Sequence, residues 1–103
     1  MNCNEFFEFV KLEMIPEGFK IMNSKGESYS GLEDKLGNFK RCAQLANLPI
    51  EKVWYVYFIK HFDALSAYIR GEYKDNESIK GRMLDMINYL WLLAGILKEQ
   101  NKL

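Results

Sequence analysis

Polar and apolar positions along the chain fall into four stretches with helical spacing. Asn4 to Met14 reads as a short amphipathic helix with Phe6, Phe9 and Val10 on one side and Asn4 as its N-cap. Pro16 and Gly18 are expected to end it. Phe19 to Ser30 keeps no clear period and holds Gly26 and three serines. It reads as an ordered, functional loop rather than a linker. A second helix is expected to begin near Ser30, where Ser30 and Glu33 have the spacing of a capping box. It lays Leu32, Leu36, Phe39, Ala43 and Ala46 along one stripe, with Asp34, Asn38, Arg41 and Leu45 opposite. Gly37 weakens it by about 1 kcal/mol against alanine, and Asn47–Pro49 breaks it.

Pro49 to Arg70 contains VWYVYFI, which has the propensity of a buried strand. The Pro-Ile-Glu-Lys opening, the continuation through Asp63-Ala64-Leu65-Ser66-Ala67 and the total length favour a third helix, closed by Gly71. On it Lys60, Asp63, Ala64 and Ala67 share a face. Glu72 to Glu77 is a charged connection, with Asn76 or Asp75 expected to cap the last helix.

That last helix, Ser78 to Leu97, is the longest apolar-rich stretch. It is apolar on most of its circumference, which places it inside a bundle or an interface. Yet Arg82, Asp85 and Tyr89 fall on one stripe, with Asn88 flanking Asp85. Charges on such a helix are paired, solvated in a cleft, or used. The fold class is therefore all-α: one helical domain over residues 1–103, a compact bundle of about four helices. Residues 1–20 form the N-terminal helix and turn, 21–31 the loop and 32–100 the helical core. Four short helices do not easily cover Trp54, Phe58, Trp91 and Leu93, so a homodimer is expected to complete the bundle.

Composition narrows the functional classes. The chain is 49% hydrophobic and 27% charged, as a globular domain is. Fourteen basic and fourteen acidic side chains cancel, so direct binding of duplex DNA is not expected. Cys3 and Cys42 match no metal or redox spacing, and a cytoplasmic location is expected. The N-terminus has acids within its apolar part, unlike a signal peptide. The uninterrupted apolar run of the third helix is shorter than the ~20 residues that span a bilayer, so no membrane association is expected.

Three helices carry polar sets amid apolar residues: Asp34/Asn38/Arg41, Lys60/His61/Asp63 and Arg82/Asp85/Asn88. Brought into one cleft, they suit a phosphorylated small molecule. Lysine and arginine neutralise phosphate oxygens, carboxylates hold a hard cation such as magnesium, and asparagine reads a base or sugar. Each set also has a plain structural role. Lys60–Asp63 and Arg82–Asp85 have the spacing of intrahelical ion pairs. His61, the lone histidine, suits a hydrogen-bonded core position. Asn38 and Asn88 suit caps or bridges, and Tyr29 suits packing. There is no Ser-His-Asp or Cys-His arrangement, and a zinc site is not expected.

The order Lys25…Tyr29, Glu33-Asp34-Lys35-Leu36-Gly37-Asn38-Phe39, Lys60-His61-Phe62-Asp63-Ala64 and Glu77-x4-Arg82-x2-Asp85-x2-Asn88-Tyr89-Leu90 resembles small phage and prophage MazG-like, nucleotide-modification-associated proteins. These lie at the edge of the all-α nucleoside triphosphate pyrophosphohydrolases, and the likeness covers roughly residues 20–100. It implies magnesium held by acidic pairs at helical spacing, with Asp85 standing where the last helix supplies its ligand. The chain departs from that pattern. Arg82 takes the place of the first acid of E-x-x-D, and Lys60 and Asp63 replace the paired E-x-x-E. The resemblance then implies a reorganised metal set of Glu33, Asp34, Asp63 and Asp85, with Asp85, Lys60 and Asp63 as catalytic residues. Lys25, Asn38, His61, Arg82, Asn88 and Tyr89 would bind the ligand.

Three readings follow. One is a magnesium-dependent nucleotide pyrophosphohydrolase. Another is a non-catalytic binder, either a sponge for a nucleotide signal or an accessory, anti-host protein. The last is a structural or protein-binding bundle with a host protein as partner.

Overall fold

The computed structural model describes residues 1–29 and 33–103, and the side chains of residues 25–29 lie outside that description. All regular structure among the described residues is helical: α1 Cys3–Phe9, a π-helical turn Val10–Met14, α2 Ile15–Tyr29, α3 Gly37–Ala46, α4 Ile50–Ile69 and α5 Ile79–Glu99. The all-α bundle expected from the periodicity is the fold observed.

The N-terminal third departs from expectation. α1, the π turn and α2 are continuous, so Pro16 and Gly18 do not end a helix and residues 19–29 are not a loop. The π turn explains how the chain passes Pro16. The Ile15 N–H bonds Val10 O, five residues back. The next donor in that pattern would be residue 16, and proline has none, so the wide turn closes there and α2 begins. The cap of α1 is Asn2 rather than Asn4. Asn2 Oδ1 accepts from Glu5 N at 2.9 Å, and Glu5 reaches back to the Asn2 N–H, a complete capping box.

α3 starts at Gly37, later than expected. Ser30 and Leu32, assigned to its cap and stripe, lie outside the described residues. Asp34 organises the entry instead, its Oδ1 accepting from Leu36 N at 3.0 Å and its carbonyl from Gly37 N at 3.1 Å. Ser78, not Asn76 or Asp75, caps α5 by accepting from Gly81 N at 2.9 Å. Three helices end alike. Residues Asn47, Gly71 and Asn101 adopt positive φ, and the next N–H in each case bonds the carbonyl five residues back.

α5 is the central element. α4 packs antiparallel to it, with Trp54 Nε1 donating to Tyr89 O and His61 meeting Arg82 and Asp85. α2 runs parallel to it, Glu17 reaching Lys80 and Gly18 reaching Asn88. α3 closes the far end. Leu36, Phe39, Val53, Trp54 and Ile96 form the buried apolar core there. Phe39 meets Tyr57 and Tyr89 edge-on at 5.6 and 6.1 Å. Trp54 is thus covered within the chain, and Phe58 and Leu93 are half-buried against the core. Trp91 remains exposed, together with Phe6, Phe7, Leu12, Ile15 and Phe19 of the N-terminal helix. Cys3 and Cys42 are free thiols. No helix among the described residues is long and apolar enough to cross a membrane.

Candidate functional site

A buried polar cluster sits midway along the α4–α5 contact. Arg82 and Asp85 are only 5% and 4% exposed, and His61 and Asn88 are buried beside them. Periodicity brings them there: on α5, positions 82, 85 and 89 share one stripe and 88 flanks it. His61 faces this stripe from α4. Its Nδ1 lies 3.2 Å from Arg82 Nη1 and 3.7 Å from Asp85 Oδ2. The Tyr89 ring lies 5.1 Å from the imidazole.

The far side of Arg82 is met by the α4–α5 connection. Nη2 donates to Asp75 Oδ2, and Nε lies 3.2 Å from Glu77 Oε2 in an ion pair. Tyr73 braces this segment, its hydroxyl donating to Glu77 O at 2.6 Å. Burial works to lower the Arg82 pKa. The bonds from Tyr73 and Asp75 and the charge of Glu77 outweigh it, and the pKa rises above its ordinary value. The Glu77 N–H, and then Arg82, hold the Asp75 carboxyl below its usual range. The result is a permanently charged guanidinium, buried on one side and met on the other by carboxylates on an exposed segment.

The cluster draws together part of the sequence-derived set. His61, Arg82, Asp85, Asn88 and Tyr89 meet. Lys60 and Asp63 do not join them: both are exposed on α4 and make no ion pair among the described residues. The intrahelical pair considered for them is not formed. Residue 60 precedes 61 by ~100° of helical rotation, which turns Lys60 outward as His61 turns in. The Lys25 side chain lies outside the described residues. Asn38 is half-buried on α3, and Tyr89 belongs mainly to the core through Phe39 and Tyr57. Asn88 spends its amide on Gly18 O at 3.0 Å. Sequence reasoning gave Asp75 only a capping role and Glu77 none. Two acids within seven residues before a buried arginine was the signal available.

Glu33 and Asp34 lie elsewhere, at a groove of about 390 Å³ between the end of α2, the turn before α3 and α5, beside Trp91 and Glu99. Lys40 bridges its acids at 2.8 Å to Asp34 and 3.1 Å to Glu99. That bond lowers the Asp34 pKa and raises that of Lys40.

The four carboxylates assigned to a cation therefore do not converge. Asp85 adjoins His61, Asp34 is engaged by Lys40, and Asp63 is exposed on another face. Among the described residues no group of three metal-ligating side chains gathers. This donor set does not fit a magnesium centre of the paired-carboxylate kind. No family model matches the chain, nor does any curated protein or solved structure.

Proposed function

We propose that this chain is a nucleotide-handling protein of the phage MazG-like kind that binds a phosphorylated ligand at Arg82 without turning it over. One observation carries the reading. The charge of Arg82 is balanced by Asp75 and Glu77, whose carboxylates belong to an exposed connection rather than to packed helices. A phosphate group offers the same acceptor geometry to the guanidinium fork and can replace them. His61 lies behind Arg82 and next to Asp85, and holds the fork in place. A buried charged cluster of this sort is seldom more stabilising than apolar side chains of the same volume, so a binding role accounts for it better than a packing role.

The test is a thermal-unfolding series with nucleoside mono-, di- and triphosphates and inorganic pyrophosphate, each with and without magnesium. A rise in Tm of several degrees that is indifferent to magnesium and yields no product supports binding without turnover. Release of pyrophosphate from a triphosphate moves the assignment to a hydrolase. No stabilisation by any of these ligands at millimolar concentration removes the reading.

A further inference from the structure

α4 has two apolar faces, and only one is used within the chain. Val53, Trp54 and His61 turn inward and are buried. On the opposite side Tyr55, Ile59, Phe62, Ser66 and Ile69 follow one another at spacings of four, three, four and three residues. That is the repeat with which one helix meets another along a continuous left-handed seam. The stripe is open: Tyr55 is 58% exposed, Phe62 54% and Ile69 77%, with Val56 beside them at 64%.

We infer that this stripe is the contact by which a second copy of the chain docks, α4 against α4, independently of any nucleotide site. Area supports a second copy. The exposed parts of Tyr55, Val56, Ile59, Phe62 and Ile69 amount to roughly 500 Å² per chain. A symmetric pair would bury about 1,000 Å² from these side chains alone. Lys52, which continues the seam one step before Tyr55, and the flanking Asp63 and Arg70 carry it into the range of about 1,200–2,000 Å² typical of stable complexes.

The one polar member of the stripe meets the burial requirement. The Ser66 hydroxyl already donates to Phe62 O at 2.8 Å, so covering it strands no donor. The Tyr55 hydroxyl lies near one end of the seam, where it keeps access to water. Charge sets no barrier, because the chain carries no net charge and the flanks of the seam hold both signs.

The experiment is the solution mass of the full chain by light scattering across the micromolar range. It is repeated for Phe62→Glu, for Ile69→Lys and, as a control away from the seam, for Leu45→Glu. The expected mass is twice the 12.1 kDa of one chain. It falls to that of a monomer in the two seam variants with helical circular dichroism intact, and is unchanged in the control. Ile69→Lys, at the helix end, gives the answer should Phe62→Glu lose its fold. A wild-type monomer throughout the range overturns the inference. So does an oligomer that survives both seam variants.

Discussion

Asn88 on α5 donates its side-chain amide to the main-chain oxygen of Gly18 on α2, 3.0 Å away and seventy positions earlier in the chain. A residue whose type and position suggested ligand recognition thus braces two parallel helices. Asn88→Ala is expected to cost about 1–2 kcal/mol, the usual loss for a buried hydrogen bond. Urea unfolding monitored by circular dichroism measures it, as a lower midpoint with an unchanged slope.

Gly18, at the other end of the same bond, is expected to respond with the opposite sign. A Cβ built there meets Leu84 Cδ2 at 3.7 Å, an ordinary contact. Gly18→Ala therefore adds packing and reduces the freedom of the unfolded chain, for a gain of up to about 1 kcal/mol. A destabilised variant in the same urea assay would show that α2 and α5 approach more closely than this.

Phe39 is the side chain on which the apolar core depends most. It is 1% exposed and wedged between Tyr57 and Tyr89. Phe39→Ala is expected to cost about 3–5 kcal/mol, a large part of the stability of a domain this small. Calorimetry should show a strongly lowered Tm and a weakened transition.

Neighbouring charges on α4 and α5 should separate cleanly by effect. Arg82→Gln removes a buried cation from between His61 and the connection, at a cost on the order of 3 kcal/mol. Lys60→Gln and Asp63→Asn alter exposed side chains and should stay within about 0.5 kcal/mol of wild type. Equal losses at all three sites, in parallel denaturant titrations, would contradict the separation of Lys60 and Asp63 from the cluster.

Stability should also fall at both extremes of pH. Asp34 and Asp75 have folded pKa values depressed below 3.8. What they contribute is present above that value and is lost as pH falls through the lower folded values. Lys40 and Lys80 are raised above 10.5, chiefly by their bonds to Asp34 and to Glu13. Their contribution is complete below 10.5 and is lost as pH rises through the higher folded values. A plot of Tm against pH should therefore be flat between about 5 and 9 as far as these groups are concerned, with a decline on each side.

α4 and α5 were legible from sequence almost to the residue, because long apolar-rich helices keep a period over many turns. The common stripe of Arg82 and Asp85 followed from the same arithmetic, whereas its inward turn is set by the packing of α4 on α5. The helical run of residues 19–29 was not legible: Gly18 and Gly26 lower local propensity, and packing of α2 on α5 overrides it. Nor was the split between Lys60 and His61, since both were grouped by nearness in sequence rather than by azimuth. Asp75 and Glu77 escaped for a different reason. They lie on a connection, and periodicity says nothing about the path of a segment that has no period.

The π turn at Val10–Met14 also acts as a rotary offset. One additional residue in that coil turns everything before it by about 100° relative to an unbroken α-helix. Phe6 and Phe7 therefore point where they do because of this inserted position, not because of their own spacing from α2. Removing a single residue between Val10 and Met14 would leave the composition of the N-terminal arm nearly untouched and swing both rings to another side of the molecule.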